Sequence, residues 1–142
     1  MGVAGHLRLV ENRRDAFNAR DWERFLNFHV RSIVVQAPGL PEPLKGHEAL
    51  RQYAQAFIAA FPDVRSEIVR SFGDGMWACV ELTAAGTNTG PMQGPGGQVI
   101  PATHKRIRMT LADVLTFDRG QITEIHEYFD LAGMMAQLGL MK

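Results

Sequence analysis

The chain reads as an α+β domain whose antiparallel sheet is packed by helices on one face. Two observations predict this class. Helical periodicity fills the first half of the chain, and strand alternation takes over after Pro62. Runs of helices followed by runs of strands favour an antiparallel sheet with its helices gathered on one side. At 142 residues the chain fits one domain, residues 1–142, able to bury roughly 68% of its unfolded surface.

Val3, Leu7, Val10 and Phe17 form the stripe of a first amphipathic helix. Arg14 completes that stripe, either as a cation snorkelling at its edge or as one reaching a cavity. Asp21 is a suitable N-cap for a short second helix carrying Trp22, Phe25 and Leu26. A β-branched strand follows over Ser32–Ala37, and the proline-rich segment 38–43 breaks it. Leu50, Tyr53, Phe57 and Phe61 place a third helix from about His47 to Phe61, which Pro62 ends.

Strands are expected over Val64–Phe72 and Met76–Thr87, joined at Gly73-Asp74-Gly75, then over Lys105–Phe117 and Gln121–Phe129. A short apolar segment, Leu131–Leu140, closes the chain. Between the two strand pairs lies Gly86–Thr103, with five glycines and three prolines. Its glycines match no phosphate-binding fingerprint. A long loop in a compact domain is commonly functional, so it is expected to form a lid or rim over a pocket.

Composition narrows the function classes. Apolar residues make up 46% and charged residues 21%, with 15 basic against 15 acidic side chains and zero formal charge. Without a basic field, neither nucleic acid nor an anionic membrane is an expected partner. The apolar runs fall far short of the ~20 residues that a membrane helix needs. Residues 1–10 show no secretory pattern, so the expected location is the cytoplasm. The lone Cys79 excludes an internal disulfide and reads as a buried, inert thiol. The five histidines show no metal-ligand spacing, and no metal is expected.

The strongest anomaly lies on the predicted strand Lys105–Phe117. Ile107, Met109, Leu111, Asp113, Leu115 and Phe117 share one face, and only Asp113 is polar. An ionised carboxylate there must be paired or open to a cavity. On the predicted strand Gln121–Phe129, Ile125, Glu127 and Phe129 share a face, so Glu127 repeats the anomaly. A three-residue loop, Asp118-Arg119-Gly120, would set Asp113 opposite Ile125 and diagonal to Glu127, within roughly 8 Å. A two-residue loop, Arg119-Gly120, would set Asp113 opposite His126. Alternatively, Asp113 only accepts hydrogen bonds from Arg106, Lys105, Arg14 or Trp77 and holds the core together.

Several short motifs now add up. Phe61-Pro62-Asp63, Gly86-Thr87-Asn88-Thr89-Gly90 and Pro101-Ala102-Thr103 come first. Asp113 follows seven residues before Gly120, then Gly120-Gln121-Ile122-Thr123-Glu124, Tyr128-Phe129-Asp130 and Gln137-Leu138-Gly139. In this order and spacing the chain resembles the SnoaL-like polyketide cyclases and ester cyclases of the nuclear-transport-factor-2-like superfamily, alongside the ketosteroid isomerases. The resemblance implies a cone-shaped curved antiparallel sheet wrapped around three N-terminal helices, with a cavity inside and a homodimer formed through the sheet. It also implies ring closure by intramolecular aldol condensation without metal or cofactor.

By position, the resemblance makes Glu127 the acid/base and Asp113 its polar partner, and it favours the three-residue loop. Asn88 stands where many relatives carry histidine, and Asp113 where the cyclases do. Asn88 can still offer an amide to an oxyanion, or only cap its turn. Tyr53, Trp77, Met109, Leu111, Ile125, Phe129 and Arg14 are the expected substrate contacts. The expected ligand is a small apolar or aromatic carbonyl compound. Two rival readings remain: a non-catalytic pocket protein, and an epoxide- or ester-hydrolysing relative that activates water with a carboxylate.

Overall fold

A computed structural model describes residues 1–94 and 97–141 of the chain. It opens with helix α1, Val3–Asn18, and the short α2, Trp22–Asn27. Strand β1, His29–Gln36, leads through β2, Leu44–Lys45, into helix α3, His47–Ala60. Strands β3, Arg65–Asp74, and β4, Trp77–Thr87, come next. A small hairpin of β5, Met92–Gln93, and β6, Val99–Ile100, follows. The long strands β7, Arg106–Asp118, and β8, Gln121–Phe129, precede helix α4, Leu131–Gln137. Among the described residues, no helix is long and apolar enough to cross a membrane.

Six strands build one curved sheet in the order β2-β1-β8-β7-β4-β3, and β5 with β6 stands apart. The sheet is antiparallel except where β1 runs parallel to β8. Local chemistry places the helices as expected. Asp21 Oδ1 accepts from the Arg24 amide and caps α2. Helix α3 stops at Ala60, two residues before Pro62, whose ring disfavours a helical residue before it.

Helix α1 is turned relative to the predicted stripe. Its buried residues are His6, Leu9, Val10 and Ala16, so the inward face is rotated by about one residue, or ~100°. His6 stacks on Phe117 at 4.1 Å between ring centres. The rotation brings Arg13, rather than Arg14, onto the centre of that face.

The β3–β4 turn also lies slightly further along than predicted. Asp74 pairs with Trp77, leaving Gly75 and Met76 as the loop. Gly75 takes the left-handed φ of 60°, whereas Gly73 stays in the ladder. A Cβ at Gly73 would meet the Trp77 carbonyl oxygen at 2.7 Å, so the strands close tightly there.

The β7–β8 hairpin differs from both predicted registers. Asp118 pairs with Gln121, and Arg119 and Gly120 have φ of 51° and 79°. Two successive left-handed residues make a type I′ turn, the connection that follows strand twist. The loop thus has two residues, not the three that the resemblance favoured. The register then slips by one between Thr116 and Phe117, because Thr123 is an extra residue on β8. Its hydroxyl donates to the Thr116 carbonyl at 3.2 Å. Beyond this bulge Asp113 faces Glu127 directly, while His126 pairs with Val114.

Two apolar clusters fill the concave side. One joins α1, α2, β1 and the first turns of α3 to Val80, Leu115 and Ile125. The other gathers Phe61, Val64, Ala84, Ile107, Met109 and Leu138. Residues of both clusters line a single cavity.

Candidate active site

The cavity holds about 790 Å³, within the size range of small-molecule sites. Inner-face side chains line it in rows across β4, β7 and β8. Leu82, Leu111 and Phe129 form one row, and Val80, Asp113 and Glu127 the next. Ala78, Leu115 and Ile125 form the row beyond, where Ile125 floors the cavity and Leu115 and Ile125 are fully buried. The two carboxylates therefore stand one row above the floor. Met92 and Met134 add apolar surface to the lining.

Asp113 is 3% exposed and its Oδ1 has no hydrogen-bond partner among the described residues. Burial first, and the facing Glu127 carboxylate second, push its carboxyl well above the usual range, against the pull of Arg13. Glu127 is only half-buried and opens onto the cavity. From α3, the Tyr53 hydroxyl donates to Glu127 Oε1 at 3.2 Å. Burial and the Glu127 charge raise this phenol far above its ordinary range, so it remains a donor.

Sequence reasoning missed Arg13. Its Nη1 lies 3.8 Å from Asp113 Oδ2, and its guanidinium sits over the Phe25 ring at 4.9 Å. Its Nε donates to His29 Nε2 at 2.9 Å. The available signal was spacing, since Val10, Arg13 and Phe17 also share a helix face. Asp113 thus meets none of the four donors expected for it. Arg14 does line the cavity, but its guanidinium pairs with Asp15 at 2.8 Å and stands 3.8 Å from Glu67.

Tyr53, Met109, Leu111, Ile125 and Phe129 line the cavity together with Asp113 and Glu127. Trp77 and Asn88 do not. Alternation on β4 turns Ala78 and Val80 inward and leaves Trp77 on the outer face, 62% exposed. Asn88 is fully buried and spends every polar valence on the scaffold. Its Nδ2 donates to the carbonyls of Ala60 and Gly90, and its Oδ1 accepts from the amide and hydroxyl of Thr103. No amide proton is left for an oxyanion, so Asn88 is a staple between the end of α3 and the loop.

Segment 86–103 begins as the end of β4 and becomes the β5–β6 hairpin, whose Met92, Gln93 and Val99 line the cavity. Pro95 and Gly96 of the predicted lid lie outside the described residues. Cys79 is half-buried on the outer face rather than in the core. Burial and the charges of Asp113 and Glu81 push its thiol up, away from the reactive thiolate.

Known proteins share this architecture. TsrD from Streptomyces laurentii superposes with a TM-score of 0.84 at 23% identity, covering 99% of each chain. AclR from Streptomyces galilaeus, described as a proposed hydroxylase, gives 0.84 at 18% identity over 99% of this chain and 89% of its own. IdmH from Streptomyces antibioticus, described as a proposed polyketide cyclase, gives 0.78 at 24% identity over 93% and 96%. At such identities the likeness is one of fold. No curated protein matches the chain in sequence. The SnoaL-like polyketide cyclase profile matches residues 8–138, a span that contains every residue lining the cavity, and the chain belongs to that family.

Proposed function

We propose that the protein is a cofactor-independent cyclase or isomerase acting on an apolar carbonyl compound held in the cavity. The observation that carries this reading is the direct pairing of Asp113 with Glu127 one row above the cavity floor, with Asp113 Oδ1 unpartnered. Two facing carboxylates in an apolar site divide the labour of acid and base. Asp113 keeps its proton and donates a hydrogen bond to the substrate carbonyl oxygen. Glu127 takes the proton from the adjacent carbon, and the C–H electron pair moves into an enolate. In a cyclisation the enolate carbon attacks a second carbonyl of the same molecule, forming the C–C bond. The new alkoxide then recovers the proton from Glu127, so no atom is gained or lost. Tyr53, through its hydrogen bond, holds the Glu127 carboxylate in place.

Leu111, Phe129, Met109 and Ile125 present hydrocarbon to the remainder of the ligand, which suits an apolar or aromatic skeleton. The exposed outer sheet face, with Phe72, Trp77, Val114 and Tyr128, is assigned to a second copy of the chain in a homodimer. The test of the enzyme reading is Glu127→Gln and Asp113→Asn, each assayed for proton exchange or ring closure and, separately, for ligand binding. Lost turnover with retained binding supports the proposal. Unchanged turnover in both variants overturns it, and wild-type binding with no turnover would make this a pocket protein.

A further inference from the structure

Arg13 poses a problem of charge. It is a guanidinium inside an apolar cavity, with only 15% of its side chain exposed. Burial lowers its affinity for its proton and the charges of Asp113 and Glu127 restore it. Its nearest hydrogen-bond partner carries no charge at all. His29 is 1% exposed, and its Nδ1–H donates to the Phe25 carbonyl at 3.0 Å. That fixes the tautomer and leaves Nε2 as a lone pair for Arg13 Nε. Burial and the neighbouring guanidinium hold the imidazole down to about 2, so His29 orients Arg13 without sharing its charge.

The other groups around Arg13 complete the count. Phe25 of α2 offers its ring face. His47 of α3 bonds the His29 carbonyl at 2.9 Å, and Tyr53 of α3 offers only a neutral hydroxyl to Glu127. Arg14, the next residue on α1, is taken up by Asp15 and Glu67. The compensating charge must therefore come from Asp113 on β7 and Glu127 on β8. One guanidinium and two carboxylates are neutral together when the pair holds a single proton. Without the guanidinium, neutrality would require two protons, and the pair would lose its base.

We propose that Arg13, oriented by the neutral His29 imidazole, is a positioning residue that fixes the Asp113–Glu127 pair at one shared proton. The proposal rests on reading that pair as donor and base. Its function is to keep a base available at neutral pH beside a protonated donor. A guanidinium whose charge was screened from the pair would leave its titration unaffected.

The experiment is a pH titration of the side-chain carboxyl carbons by NMR, with Asp113 and Glu127 assigned, in the wild type and in Arg13→Met. The wild-type pair is expected to lose its protons in two separate steps, holding one proton across neutral pH. Arg13→Met should raise the midpoint of the first loss by about one to two pH units. Arg13→Lys, which keeps the charge, should stay closer to the wild type than Arg13→Met. Unmoved curves in Arg13→Met, accompanied only by a lower Tm, overturn the proposal. If that variant does not fold, His29→Leu and His29→Gln decide instead. The leucine removes the acceptor and should raise the midpoint, while the glutamine oxygen can still accept and should restore it. Identical curves for the wild type and both His29 variants overturn the proposal. The titration needs no turnover: shifted curves with an inactive wild type would refute only the enzyme reading, and unshifted curves with an active wild type only the role of Arg13.

Discussion

The two faces of the central sheet break the same rule in opposite directions. On the inner face of β7, Asp113 is buried among leucine, isoleucine and methionine at 3% exposure. One residue further on, Val114 points outward at 40% exposure, near Phe72 and Trp77, each at 62%. A polar carboxyl inside and hydrocarbon outside both cost stability in an isolated monomer. Each makes sense if its face receives something: a ligand within the cavity, and another protein surface on the convex side. The comparison teaches that the strand alternation is intact and that only the chemistry placed on it is inverted.

The largest expected effect separates the faces by matched glutamates. Glu127→Gln should lower kcat by about 10²–10⁴-fold with ligand affinity retained. Glu124, on the same strand and paired with the His126 ring at 2.8 Å, offers the control. Glu124→Gln should leave kcat within roughly twofold, as exposed ion pairs contribute little. Equal losses in both would erase the distinction.

Asn88→Ala should cost about 2–4 kcal/mol of stability by urea unfolding, because four hydrogen bonds are lost and their buried partners are stranded. The kcat of the folded fraction should not change. A specific loss of kcat would return Asn88 to the chemistry. On the convex face, Trp77→Glu combined with Val114→Glu should weaken self-association by about 2 kcal/mol or more in sedimentation equilibrium. Cavity binding should persist, and a wild type that sediments as a monomer would refute the homodimer.

The smallest effect, taken per pH unit, is pH-dependent. The folded chain keeps His29 neutral down to about 2 against an ordinary 6.5. Below 6.5 the unfolded chain therefore binds a proton that the folded one refuses. Stability should fall by about 1.4 kcal/mol per pH unit from this group as pH drops. Asp113 has the opposite sign. Between its ordinary 3.8 and its raised folded value, the folded chain holds the extra proton, so stability falls as pH rises through that window. Urea midpoints against pH should show Asp113→Asn abolishing the second slope and leaving the first.

Much of the fold was legible because period and breakers are local. The three helices, the long strands, the Asp21 cap and the anomaly at Asp113 all come from residues a few positions apart. What was misread depended on rotation or register. Helix α1 turns by one residue so that His6 and Leu9 join the core, and that turn exchanged Arg14 for Arg13. Trp77 was misplaced because an aromatic in a strand carries no label for its face. Asn88 was placed correctly in its motif, yet its partners at Ala60 and Thr103 come from distant segments. A clue to the β8 register was present: Ile122 and Ile125 lie three apart, a spacing that strict alternation cannot bury on one face.

That spacing has a consequence for how this site can change. Ile122 is fully buried and Ile125 is 1% exposed, and only the extra residue at Thr123 lets both point inward. Taking Thr123 into the ladder while keeping the turn would flatten the bulge and bring His126 opposite Asp113. It would also swing Ile125, Glu127 and Phe129 to the outside, where each large apolar side chain forfeits about 1.5–3 kcal/mol of burial. The choice of carboxylate over imidazole is therefore written into the bulge and guarded by two isoleucines, neither of which is an acid or a base. Flattening of the bulge, more than substitution at the acids themselves, is the event that would rewrite the pairing in the cavity.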